Sequence, residues 1–140
     1  MLSQKRTILA LTKHPEHQML LKSIQNQSDS RLTVRIMDEL PPSPNLSNEL
    51  LGVDLLLMDF TTNFDMLFQT LSAIKTQEFL RCLPVVGIGV EIEQSKVEKL
   101  YGMHINALVD LSTQTQPFHV VLNQILQYWL EMIIHPQNSW

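Results

Sequence analysis

A chain of 140 residues, 44% of them hydrophobic, can build one domain with a real core but not two comfortable ones. A net charge of -4 and an isoelectric point near 5.6 give no electrostatic reason to bind nucleic acid. The single cysteine, Cys82, excludes an internal disulfide, and no apolar run approaches the roughly 20 residues of a bilayer span.

Residues 1–6 lead into only a short apolar run, residues 8–11, so no signal peptide is expected and a cytoplasmic protein is the default. Thr7 to Thr12 reads as a first buried strand. A helix starts at His14-Pro15-Glu16-His17, because proline suits the first turn and an acid there suits the helix dipole. Leu20, Leu21 and Ile24 supply its apolar face, and residues 25–30 form a polar stop. Leu32, Val34 and Ile36 alternate with Thr33 and Arg35 as a second, more exposed strand. Three prolines between Leu40 and Asn48 allow only a short second helix.

The stretch Val53-Asp54-Leu55-Leu56-Leu57-Met58-Asp59-Phe60 organises the rest. Four consecutive apolar residues do not suit a strand with one wet face; they read as a parallel strand covered by helices on both sides. It ends on the carboxylate Asp59, at the end of the sheet where open α/β folds place their sites. Phe64, Leu67, Phe68, Leu71 and Ile74 then recur at helical spacing, with Asn63 as an N-cap. Residues 83–90 form the next strand, with Pro84 near its first position. Val97, Leu100 and Tyr101 mark the inner face of a helix ending near Gly102, and residues 105–111 form the last strand. A long helix opens at Pro117, with Phe118, Val121, Leu122, Ile125, Leu126, Trp129, Leu130 and Ile133 on its apolar stripe, and runs to about His135. Five strands alternating with helical stretches imply a single doubly wound parallel sheet over residues 1–140.

This order, with V-D-L-L-L-M-D, L-P-V-V and N-A-L-V in its last three strands, resembles a response-regulator receiver domain over nearly the whole chain. Tyr128-Trp129-Leu130 with His135-Pro136 is similar to the ending of small receivers that partner phytochrome-type kinases. The resemblance implies a flavodoxin-like strand order of 2-1-3-4-5 and a histidine kinase or other two-component protein as partner. It places the phosphoacceptor on Asp59. The family's acidic pair falls on Thr12 and Lys13, its Thr or Ser on Gly89, its aromatic switch on about Leu108, and its Lys-Pro on Leu111-Ser112 within one residue. Phosphoryl transfer to a carboxylate is mostly the positioning of charge, and Mg²⁺ needs carboxylate oxygens. The expectation is therefore a pseudo-receiver, not an enzyme, with no metal or other cofactor and with Lys13 as a fixed counter-ion to Asp59.

Other patterns carry less. Gly87-Ile88-Gly89 lacks the third glycine of a dinucleotide loop, so close packing or a bend is its better account. His14, His17, His104, His119 and His135 are scattered, without a third ligand at zinc spacing. Val120, Tyr128, Met132 and Ile134 spill beyond the last helix's stripe, which implies a partner surface around Tyr128, Trp129 and Met132, most simply a homodimer. Two alternatives stand beside the pseudo-receiver: a conventional phosphorylated response regulator with an atypical site, and a flavodoxin-like small-ligand-binding protein.

Overall fold

The computed structural model describes residues 5–27, 31–40 and 45–132, the side chains of residues 27, 131 and 132 excepted. Its strands are β1 (Arg6–Leu11), β2 (Leu32–Met37), β3 (Leu55–Asp59), β4 (Val85–Gly89) and β5 (Ala107–Asp110). The α-helices are α1 (Pro15–Gln27), α2 (Leu46–Glu49), α3 (Phe64–Thr76), α4 (Gln94–Gly102) and α5 (Phe118–Met132). All strand pairs are parallel, in the expected order β2-β1-β3-β4-β5.

Side-chain alternation divides the sheet into two dry faces. Leu9, Leu11, Leu56, Met58 and Val85 meet Leu46, Leu67, Leu71, Ile74 and Leu100 of α2, α3 and α4. Ile8, Ala10, Leu55, Leu57, Val86 and Ile88 meet Leu21 and Ile24 of α1 and Val121, Leu122, Ile125, Leu126 and Leu130 of α5. Every residue of β3 is buried, which is why its sequence shows no polar alternation.

Several details differ from the sequence expectation. The polar stretch after Ile24 does not stop α1, which continues to Gln27. Asn63 sits at the N-cap position of α3 but in the left-handed region, φ 62°, and its side chain makes no capping bond. Tyr101 is exposed, leaving Leu100 as the buried residue of α4. Strand β5 is shorter than expected, and Leu111 opens a 3₁₀ turn over Leu111–Thr113. Residues 133–135, expected to continue the last helix, lie outside the described residues.

Gly87 confirms the packing account of the Gly87-Ile88-Gly89 stretch. A Cβ there would lie 2.8 Å from Leu108 Cδ1, 2.8 Å from Phe60 Cε2 and 3.0 Å from Ile105 Cδ1. The absent side chain lets these three core residues close over β4.

Candidate functional site

The site lies at the carboxyl ends of β1 and β3. Thr12 extends the β1–β2 ladder through its amide, 3.0 Å from the Met37 carbonyl. It comes after Ile8 and Ala10 in the alternation and so turns to the α1/α5 face. Asp59 comes after Leu55 and Leu57 and takes the same face. The two side chains meet: the Thr12 hydroxyl donates to Asp59 Oδ2 at 2.7 Å.

A third group comes from α1. Its buried positions His17, Leu21 and Ile24 fall at i, i+4 and i+7, so the histidine continues the apolar stripe one turn toward the helix start. His17 Nδ1 lies 2.5 Å from Asp59 Oδ2. A carboxylate only accepts, so Nδ1 carries the hydrogen of this bond. The Thr61 amide donates to the other oxygen, Oδ1, at 3.0 Å. Asp59 is 1% exposed and His17 6%. Burial pushes the Asp59 carboxyl up; the bonds from His17, Thr61 and Thr12 and the charge interaction with His17 outweigh it, holding the group below its ordinary value.

The loop that delivers these groups is tied to itself. The His14 amide donates to Thr12 Oγ1 at 3.1 Å, and Gln18 Nε2 donates to the Thr12 carbonyl at 2.7 Å. The His17 ring is stacked on His14 at 3.9 Å between centroids and lies 4.4 Å from Phe118, the first residue of α5.

The expected counter-ion is corrected. Lys13 faces Glu39, Nζ to Oε2 4.0 Å, and both side chains are more than 40% exposed. The alternation explains it: Lys13 continues the Leu9 and Leu11 series, toward the opposite face of the sheet from Asp59. His17 takes the place beside the carboxylate. Its signal in the sequence was the spacing to Leu21 and Ile24, visible only when the histidine is read as a stripe residue.

The other site positions are spread along β4 and β5. Gly89 ends β4 and lies against Ile92; a Cβ there would be 2.6 Å from Ile92 Cδ1. In register beside Gly89 is Asp110, one residue before Leu111, so the end of β5 carries an acid. Asp110 Oδ1 accepts from the Ser112 and Glu91 amides at 2.9 and 3.1 Å. Leu108 is half-buried and packs on the α3/α4 face.

The geometry defines a class, the receiver-type doubly wound fold with an aspartate ending its central strand, and comparison with solved structures agrees. The phosphorylated cyanobacterial phytochrome response regulator RcpA matches with a TM-score of 0.77 and 18% identity, over 94% of this chain and 99% of that one. The Mn²⁺-bound form of response regulator Rcp1 matches at 0.76 and 19%, over the same shares of each chain. A response regulator from Hahella chejuensis matches at 0.73 and 17%, over 90% of this chain and 96% of that one. No family model and no curated protein sequence matches. The chain therefore has the response-regulator receiver fold over nearly its whole length. Among the described residues, no helix is long and apolar enough to cross a membrane.

Proposed function

We propose that this chain is a pseudo-receiver, an interaction module of a two-component system that does not work through phosphorylation of Asp59. The observation that carries the reading is the environment of that carboxylate. Both oxygens are already engaged, Oδ2 by Thr12 and His17 and Oδ1 by the Thr61 amide, and the group is buried.

The donor set does not suit the divalent cation that the fold family implies. A hard cation takes several oxygen ligands, and the positions of the family's acidic pair hold a threonine, bound to Asp59, and a lysine, paired with Glu39. At the end of β4, Gly89 offers no hydroxyl; beside it, Asp110 would repel a phosphoryl group. What the chain's own residues do is satisfy both Asp59 oxygens internally and hold α1 against β3. Incubation with acetyl phosphate and Mg²⁺, then measurement of intact mass, tests this. No stoichiometric product is expected. A gain of one phosphoryl group, abolished by Asp59→Asn, would instead make this a conventional response regulator.

The same reading includes a partner surface on α5, with a second copy of the chain as its simplest occupant. Tyr128 is 60% exposed, and Val120, Asn123, Gln124 and Gln127 border a depression with it. Trp129, placed at this surface by the sequence, is half-buried on the α1/α5-side core and meets Tyr128 edge-on at 5.4 Å, so it supports the surface from beneath. The Met132 side chain lies outside the described residues. Light scattering at tens of micromolar is expected to give a dimer that Tyr128→Glu weakens. A monomer unchanged by that substitution would rule out the homodimer.

A further inference from the structure

The three rings His14, His17 and Phe118 form a row whose middle ring lies against Asp59 and whose last belongs to the first residue of α5. His17 is the middle member and the only one bonded to the carboxylate among the described contacts. We propose that His17 couples Asp59 to helix α5, so that any change in what engages the carboxylate is transmitted through the imidazole to Phe118 and the first turn of that helix.

Three observations support it. Oδ2 is shared by Thr12 and His17 in a buried setting, so a new partner for that oxygen must displace or reorient the imidazole. The displaced ring has little room, because it lies between His14 at 3.9 Å and Phe118 at 4.4 Å, and a close-packed interior passes such a movement on. Phe118 in turn packs against the α1/α5-side core and is the first residue of α5, so a shift there is a shift of the helix start. On the opposite flank, Gly89 and Leu108 supply neither a hydroxyl nor an aromatic ring to carry a signal. This coupling goes beyond the pseudo-receiver reading and does not depend on the outcome of the phosphorylation assay, because a change of partner at Asp59 by any means would engage it.

A double-mutant cycle read by NMR tests it. Asp59→Asn, which keeps the size of the side chain and removes its charge, is expected to shift the amide signals of residues 118–121. The same substitution made in a His17→Phe background, which keeps a ring against Phe118 but has no bond to Asp59, is expected to leave those signals in place. His17→Phe leaves a buried carboxylate with fewer donors; should it not fold, His17→Gln, which retains a donor but has no ring, serves as the background with the same expected loss of response. Signals of residues 118–121 that do not respond to Asp59→Asn, or that respond equally whatever stands at position 17, overturn the coupling.

Discussion

His17→Ala is expected to destabilise the protein by about 3 kcal/mol, measured as a lower urea midpoint with an unchanged slope. His17 and Asp59 are a sheltered pair, 6% and 1% exposed, so solvent does not step in where the imidazole is removed. Breaking such a pair on one side costs more than the bond was worth, because the remaining charge stays buried. Thr12 and the Thr61 amide still reach Asp59, which keeps the loss toward the lower end of the range for buried pairs. The pH dependence has a definite sign. The folded carboxyl is held below the unfolded value of about 3.8, so the unfolded state takes up the proton first. The stability contributed by Asp59 is complete above that value and is lost as pH falls through the folded one. In His17→Ala the folded value rises toward the unfolded one, so this acid-side loss is smaller and is complete at higher pH.

Gly87→Val is expected to cost about 3 kcal/mol, at the upper end for overpacking a core. The three atoms nearest an added Cβ come from Leu108, Phe60 and Ile105, at 2.8, 2.8 and 3.0 Å. The Phe60 ring has Phe64 beside it at 5.6 Å, which limits its retreat. Gly89→Ala provides the contrast within the same strand. Its clash is with the longer branch of the half-exposed Ile92 side chain, Cδ1 at 2.6 Å and Cγ1 at 2.8 Å, while the nearest backbone atom is 3.8 Å away. Swinging that branch aside costs at most about 1 kcal/mol, the scale of an off-rotamer side chain. Chemical denaturation of the two variants separates a glycine held by the core from one covered by a movable side chain.

The fold was legible because burial on both faces leaves a strong mark. Residues 55–58 have no polar alternation, and only a central parallel strand needs none. Asp59 was legible for the same reason, as the charge that ends the run. Its surroundings were harder. The charge of Lys13 suits a counter-ion, but a side chain's face is set by alternation, and counting from Leu9 and Leu11 turns it toward Glu39. Ligand spacing does not reveal His17, whose interval to Leu21 and Ile24 is that of a core stripe. Asn63 and Tyr101 show the limit of residue type as a guide. A good capping residue can occupy the cap position in a conformation that makes no cap, and a ring at helical spacing can still face water.

Internal engagement of the Asp59 carboxylate by His17 is the central claim, and carbon-detected NMR of the Asp59 carboxyl through an acid titration addresses it most directly. The carboxyl is expected to titrate below the ordinary aspartate value of 3.8, to move up in His17→Ala, and to stay where it is in Lys13→Met. An Asp59 carboxyl that titrates at or above that value, or that ignores His17→Ala, would contradict it.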